Sequence, residues 1–373
     1  MIENFKGKIL YIGGFELPDK NAAAHRVLNI AKSLRDLNYN VVFFGVGESC
    51  SAESIMYVDD FSYYNIFTSQ KGEHFRKMIQ IGHIKKYIRT NSDVKLIIAY
   101  NYPSFALTRI RNFCKRRNIR VIADCTEWYD VAGIGLSRIL KKIDTAWRMK
   151  HIHKNLDGVI CISSYLYSYY KKCVLSVKIP PTVDLQSKKY LKLTKSKPQI
   201  EDTVNIVYSG SPSASKESLG YVVNTINKLN LKRVRLYVVG ITREQFVKMY
   251  DIEPNIVNII FLGRVEHEKA LEIIFNSNYS LIIRPDSRLT RAGFPTKFVE
   301  AISCGIPVIA TNTSDLSEYL SYGKNGYMIS VEEFGSILSE IDERLDFPQV
   351  ERDLFDFRHY TEKLGVFLEN LGI

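Results

Sequence analysis

Short β-branched runs alternate with helical stretches along this chain, and the alternation stops once and then restarts. In the first half the apolar runs are "KILYIG", "NVVFFG", "KLIIAY", "RVIAD" and "GVICIS". Between them, Ala22 to Leu37, Phe75 to Arg89, Pro103 to Arg117 and Leu136 to Asn155 carry helical periodicity. Near-continuous apolar strands separated by amphipathic helices predict a parallel sheet covered on both faces. The rhythm is lost in "KIPPTVDLQSKKYLKLTKSKPQIEDT", whose prolines and lysines read as an interdomain connection. It resumes with "VNIVYSG", "VRLYVVG", "IIFLG" and "YSLIIRP", with helices near Lys216 to Leu229, from Thr242 onward, and from Glu266 to Asn276. Thr242 and Gln245 have the spacing of a capping box, in which hydroxyl and amide cross-satisfy the first N–H groups of a helix.

Two α/β domains in tandem follow, each a Rossmann-like doubly wound parallel sheet. The boundaries read as 1–183 for the first, 184–203 for the connection, and 204 onward for the second. The chain of 373 residues exceeds the size at which one core keeps growing, which also predicts two domains. Ligands of such folds sit beyond the carboxyl ends of the strands, so the expectation is two domains facing a central ligand cleft.

Composition narrows the function classes. A 24% charged fraction and 46% hydrophobic residues exclude a disordered chain. The six cysteines are far apart with no C-x-x-C spacing, so they read as buried thiols of a reducing compartment and not as a zinc site or a disulfide frame. His151 and His153 are two apart, which on a helix points them to different faces, and no metal site is expected. "MIENFKGKILYIGG" enters a strand pattern directly, without the apolar stretch and cleavage site of a signal peptide, and no apolar run is long enough to cross a bilayer, so a cytoplasmic protein is expected. Residues 1–183 hold 28 Lys+Arg against 15 Asp+Glu, whereas 184–373 hold 23 against 25. The basic residues of the first half cluster in "HIKKYIR", "CKRRNIR" and "SRILKKIDTAWRMKHIHK". That asymmetry points to an anionic partner, a membrane surface or a phosphorylated substrate. The aromatic-with-basic pattern of nucleic-acid modules is missing, so no nucleic acid is expected.

The chemistry concentrates in "RAGFPTKFVEAISCGIPVIATNTSDLSEYL", Arg291 to Leu320, which follows a strand end. Pro295 suits a first helical turn, where its missing N–H costs little. A helix starting there aims backbone N–H groups and the positive end of its dipole at the strand-end crevice. Arg288, Arg291 and Lys297 add positive charge, and the natural occupant is an anion. Glu300 beside an anion site makes sense as an acceptor for hydroxyls such as those of a ribose; the alternative is a simple i, i+3 ion pair with Lys297.

"FPTKFVEAISCGIPVIAT…LSEYL…GKNGYMI" resembles the donor-site segment of family 4 retaining glycosyltransferases of the GT-B fold. "ILYIGGFELPDKNAAAHRVLNIAKSLRDLNYNV", "DGVICISSYLYSYY…KIPPTVDL" and "IVYSGSPSASKESL…LYVVG" are similar to the family's opening strand and loop, the end of its first domain and the start of its donor domain. The resemblance implies a donor domain over 204–356 and a final helix, within 357–373, returning to the first domain. It also implies residue roles. Glu300 matches the second glutamate of an E-x7-E signature and would bind the nucleotide ribose; Lys216 would meet the donor diphosphate. Gly13 and Gly14 would let backbone approach the diphosphate, and the amides around Phe294 to Thr296, Pro295 itself having no N–H, match those facing the distal phosphate and sugar. The first glutamate of the signature falls at Ala292, and the arginine usual after the "SG" of the donor strand is absent, with Arg291 or Arg288 as the replacement charge.

After "RVIAD" the family usually carries a histidine, where this chain has "DCTEWYD". Asp124 and Glu127 are the polar candidates there: Glu127 to hold a sugar hydroxyl or orient the acceptor, Trp128 to stack on a sugar or to serve as a core aromatic. His25 and Arg26, at the start of the first long helix, lie on the acceptor side in the family or else form a solvated face. The implied function is transfer of a sugar, with retention, from a nucleoside-diphosphate sugar such as a UDP-sugar to the hydroxyl of a glycan or lipid-linked glycan. Lysines and a helix N-terminus would stabilise the leaving diphosphate without a metal or other cofactor. The expected setting is cell-surface polysaccharide or lipopolysaccharide synthesis on the inner face of the cell membrane. Two alternatives share the fold: a UDP-sugar 2-epimerase type of enzyme using Glu127 and Asp124, and a catalytically degenerate partner subunit.

Overall fold

The structure, a computed structural model, describes residues 5–18, 20–47, 55–68, 79–128, 136–193, 203–210, 218–343 and 347–373. One unit comprises Met1–Thr182, Ala292–Phe294 and Phe357–Ile373; the other comprises Val183–Arg291 and Pro295–Asp356.

The first unit is built on strands β1 (Lys8–Gly13), β2 (Asn40–Gly47), β3 (Met56–Val58), β4 (Phe61–Thr68), β5 (Val94–Tyr100), β6 (Arg120–Cys125), β7 (Gly158–Cys161) and β8 (Ser176–Lys178). Their order is β3-β4-β2-β1-β5-β6-β7-β8, parallel throughout except at β3 and β4. The periodicity does not reveal β3, β4 and β8. The β3–β4 hairpin turns on Asp59 and Asp60, both with positive φ (46° and 66°), a two-residue turn that sequence flags only when glycine or asparagine supplies it. Leu364, Phe367 and Leu368 of the Arg358–Asn370 helix join Ile122 and Ile160 in the core of this unit.

In the second unit β9 (Val204–Ser209), β10 (Val234–Val239), β11 (Ile259–Gly263), β12 (Tyr279–Ile282), β13 (Val308–Thr311) and β14 (Gly326–Ile329) form an all-parallel sheet in the order β11-β10-β9-β12-β13-β14. The Arg243–Tyr250 helix opens with the capping box its sequence predicts: Thr242 Oγ1 accepts from the Gln245 amide at 3.3 Å, and Gln245 Oε1 from the Thr242 amide at 3.0 Å. The stretch read as a connection is not featureless. It carries the Lys188–Leu193 helix, with Tyr190 and Leu193 buried.

Both sheets reverse their strand order once, between β1 and β5 and between β9 and β12. At such a switch point the flanking helices lie on opposite faces and leave a crevice outside the strand ends. Gly13 ends β1 at the first of these points, where a Cβ would stand 2.7 Å from the Tyr100 carbonyl oxygen. Only glycine allows the two strand ends this close approach.

Arg26 and Asp124 lie inside the first unit, 4% and 0% exposed. Arg26 Nη2 donates to Asp124 Oδ1 at 2.7 Å and Nη1 to the Ile179 carbonyl at 3.1 Å, while Tyr11 Oη donates to Asp124 Oδ2 at 2.5 Å. Burial, reinforced by the Asp124 charge, holds the Tyr11 phenol well above its ordinary pKa, so it remains a donor. The expectation that Arg26 and Asp124 face an acceptor therefore gives way to a buried ion pair that ties β1, β6 and the Ala22–Asp36 helix to the segment after β8. Removing one partner of such a pair leaves an uncompensated charge, so Asp124→Ala is expected to lower the unfolding free energy by about 3–5 kcal/mol in urea denaturation. A loss below about 1 kcal/mol would contradict this structural role.

Candidate active site

At the switch point of the second sheet lie two of the residues singled out by the sequence, Lys297 and Glu300. Gly210 follows β9 with φ +118°, a conformation side-chain-bearing residues rarely adopt. A Cβ there would meet Lys297 Cε at 2.6 Å, because the Lys297 side chain lies across the strand end. Its ammonium stands 4.2 Å from the Tyr208 ring centroid, within cation–π range. The missing side chain of Gly210 and the ring of Tyr208 thus position the charge of Lys297 beside the end of β9.

Lys297 belongs to the Thr296–Ser303 helix, which follows β12 through the short Arg288–Ala292 helix. Pro295 stands one place earlier than its sequence implies, as the N-cap and not in the first turn, with φ −73° and ψ 108°. The N-cap Pro295 makes no side-chain cap hydrogen bond, and the helix that begins after it brings its positive dipole end to the side of the sheet where the strands end. Phe298, Val299, Ala301 and Ile302 are buried, which fixes the helix on the sheet and holds Lys297 and Glu300 at its rim. Glu300 is 22% exposed, and its Oε1 lies 3.2 Å from His267 Nε2. His267 opens the His267–Phe275 helix, and its Nδ1 is 3.3 Å from Lys189 Nζ. Sequence reasoning missed both His267 and Lys189, which lie 33 and 111 positions from Glu300.

The other candidates are placed as follows. Lys216, with Ser211 and Ser213, lies outside the described residues. Arg291 makes a two-point ion pair with Asp286, whose carboxyl those hydrogen bonds hold below its usual pKa. Phe294 is buried, and Thr296 and Lys297 are half-buried. Ala292 is fully buried, so the side chain at this E-x7-E position is a methyl group enclosed by neighbours. A basic residue passed over in the sequence, Arg284, lies just beyond β12 and is 9% exposed; its backbone N–H and carbonyl both bond Thr311 Oγ1, at 2.9 and 2.8 Å.

In the first unit, Gly13 is buried and Gly14 half-buried at the end of β1. Glu127 and His25 are half-buried. Trp128 is 7% exposed and meets the rings of Tyr165 and Tyr169 edge-on at 6.3 and 4.8 Å, the packing expected of a core aromatic. Cys125 and Cys161 are buried alongside, and burial pushes the Cys125 thiol up to about 12, which keeps it protonated and unreactive. No group of three or more His, Cys, Asp or Glu side chains with metal-binding geometry occurs among the described residues.

Residues 203–345 match the family described as glycosyl transferases group 1. The chain is 25% identical over 232 residues to an uncharacterized 41.2 kDa protein in the cps region of Klebsiella pneumoniae, a match spanning 59% of this chain and 58% of that protein. Sucrose-phosphate synthase from Thermosynechococcus elongatus superposes with a TM-score of 0.69 at 15% identity, covering 98% of this chain and 99% of that one. Anabaena HepE in complex with UDP-glucose gives 0.63 at 14% identity, with 97% and 99% covered. The two parallel-sheet units and these neighbours define the GT-B fold, and the family match over the second unit supports a glycosyltransferase.

Gly210→Ala gives a direct check of the site geometry. The added methyl must displace Lys297 and strain the backbone, at a cost of about 1–3 kcal/mol in stability. Lys297→Met in the same assay is expected to leave stability within about 1 kcal/mol, because its apolar stem still covers Gly210. Equal denaturation midpoints for wild type and Gly210→Ala would contradict the close approach.

Proposed function

We propose that the protein transfers a sugar from a UDP-sugar to an acceptor hydroxyl with retention of anomeric configuration, in the assembly of a cell-surface polysaccharide. The observation that carries this reading is the joint placement of Gly210, Lys297, the start of the Thr296–Ser303 helix and Glu300 at the β9/β12 switch point. Cationic and dipolar groups suit the diphosphate, and the carboxylate suits ribose hydroxyls. The UDP-glucose bound by the Anabaena neighbour favours UDP, and the cps-region relative favours polysaccharide synthesis.

In the proposed reaction the bond from the sugar's anomeric carbon to the diphosphate oxygen breaks as the acceptor oxygen bonds to that carbon on the same face. The acceptor proton passes to the departing phosphate oxygen. No protein nucleophile is needed. Lys297, the helix N-terminus and, from the sequence resemblance, Lys216 stabilise the charge that develops on the leaving group without a metal. Glu127 is proposed to orient the acceptor, with His25 as a further acceptor contact. The epimerase alternative loses one of its two acid–base groups, because Asp124 is committed to Arg26.

The test is a melting-point screen against UDP, GDP, ADP and CMP, followed by NMR of the product from the matching nucleotide sugar. UDP at a hundredfold excess over its dissociation constant is expected to stabilise the wild type by about 2.7 kcal/mol and Glu300→Ala far less. Product with the anomeric configuration of the donor is expected. An unshifted melting point with every nucleotide would contradict the proposal and favour the degenerate-subunit alternative.

The acceptor side is proposed to meet an anionic membrane surface on the inner face of the cell membrane. No helix among the described residues is long and apolar enough to cross a bilayer. On the Leu136–Trp147 helix, however, Ile139, Ile143 and Trp147 form an exposed stripe at i, i+4 and i+8, 48%, 59% and 54% exposed, with Leu140 beside it. Asp144 Oδ1 accepts from the Ser104 amide at 2.9 Å, which holds the exposed Phe105 in the adjoining helix. Exposed Lys142, Lys150 and Arg109 flank this face. Apolar side chains rimmed by cations match the boundary of an anionic bilayer. Trp147 and the buried Trp128 are the chain's two tryptophans, so a Trp128→Phe variant reports Trp147 alone. Its emission is expected to shift to the blue with phosphatidylglycerol vesicles at low salt, and not with phosphatidylcholine vesicles or after Lys142→Glu with Lys150→Glu. Unchanged emission on anionic vesicles would contradict this docking face.

A further inference from the structure

Three side chains from separated segments of the second unit form a line that ends on the carboxylate just assigned to the nucleotide. Lys189 lies in the Lys188–Leu193 helix, His267 at the start of the His267–Phe275 helix, and Glu300 within the Thr296–Ser303 helix. The distances are 3.3 Å from Lys189 Nζ to His267 Nδ1 and 3.2 Å from His267 Nε2 to Glu300 Oε1. The first two helices are joined a second time by the Lys192–Glu268 ion pair at 3.3 Å, and buried Tyr190 and Leu193 fix the register of the shorter one.

The donors and acceptors in this line settle its direction. An ammonium has donors and no acceptor, so the His267 Nδ1 facing Lys189 must accept. The ring proton then sits on Nε2 and is donated to Glu300 Oε1, which as a carboxylate only accepts. A doubly protonated ring would aim an N–H at the ammonium, so the arrangement selects the neutral Nε2–H tautomer, with the proton position assigned from the network. His267 and Glu300 are each only 22% exposed, where water competes weakly for such a bond.

We infer that His267 is a positioning residue for ribose recognition: it holds the Glu300 carboxylate in one orientation, and Lys189 holds His267 in the tautomer that can do so. This rests on the reading of the β9/β12 switch point as a nucleoside-diphosphate site. A glutamate side chain otherwise samples several rotamers that binding must select among, so ordering it in advance improves affinity for the hydroxyls without a new ligand contact. The segment that reads in the sequence as an interdomain connection thereby contributes to nucleotide selectivity.

The test compares binding of UDP with binding of 2′,3′-dideoxy-UDP, which lacks the ribose hydroxyls, by titration calorimetry on the full-length protein. The wild type is expected to favour UDP by tenfold or more, a preference that Glu300→Ala removes. His267→Ala is expected to weaken UDP by about tenfold, the effect of one hydrogen bond to a charged group, and to leave dideoxy-UDP unchanged. His267→Gln, whose amide can accept from Lys189 and donate to Glu300, is expected to recover most of the preference. Lys189→Met, which keeps the helix packing and removes the donor, is expected to lower it partially.

If His267→Ala weakens both nucleotides equally, His267 acts on the base, the diphosphate or the fold, and the inference is overturned while the nucleotide site stands. An unchanged preference in His267→Ala overturns it likewise. If UDP does not bind the wild type, the nucleotide-site reading itself fails, and this inference falls with it.

Discussion

Parallel strands deliver their carboxyl ends to one edge of a sheet, and where the strand order reverses that edge opens into a crevice. The arrangement of the second unit depends on this constraint. The reversal falls between β9 and β12. Gly210 therefore ends the central strand at the place where the helix after β12 begins, and Lys297 can lie across it only because Gly210 lacks a side chain. The same rule sets Gly13 against Tyr100 in the first sheet. Close backbone approach, a helix N-terminus beside the strand end and a fixed cation are consequences of topology before they are features of a site.

Much of this organisation is legible in the sequence. Alternating apolar runs and amphipathic helices specify parallel sheets because each strand must be covered on both faces. The capping box at Thr242 shows in the sequence because it is local. The β3–β4 hairpin does not show, since its turn is made by Asp59 and Asp60 and not by the glycine that usually marks such a turn. Pro295 illustrates the limit of local reading: a proline near a helix start is plain, but its fixed φ suits the first turn as well as the cap, and only its extended ψ of 108° shows that it is the cap.

Polar residues near strand ends are harder to read, because sequence does not reveal burial. Arg26 and Asp124 have the residue types and placement of ligand contacts, yet they are enclosed and answer each other's charge. Trp128 has the chemistry to stack on a sugar and is instead surrounded by Tyr165 and Tyr169. In the opposite direction, His267 and Lys189 carry no motif, and their relation to Glu300 appears only once three helices meet. The apolar stripe of the Leu136–Trp147 helix was concealed in a similar way: its lysines announce charge, but only the fold shows that Ile139, Ile143 and Trp147 remain uncovered.

In the proposed function the second unit binds a nucleoside diphosphate at its β9/β12 switch point. A crystal structure of the protein soaked with UDP decides whether it does. Difference density is expected with the diphosphate at the N-terminus of the Thr296–Ser303 helix beside Lys297, and the ribose hydroxyls within hydrogen-bond distance of Glu300. Density for UDP elsewhere, or a ribose turned away from Glu300, would contradict it.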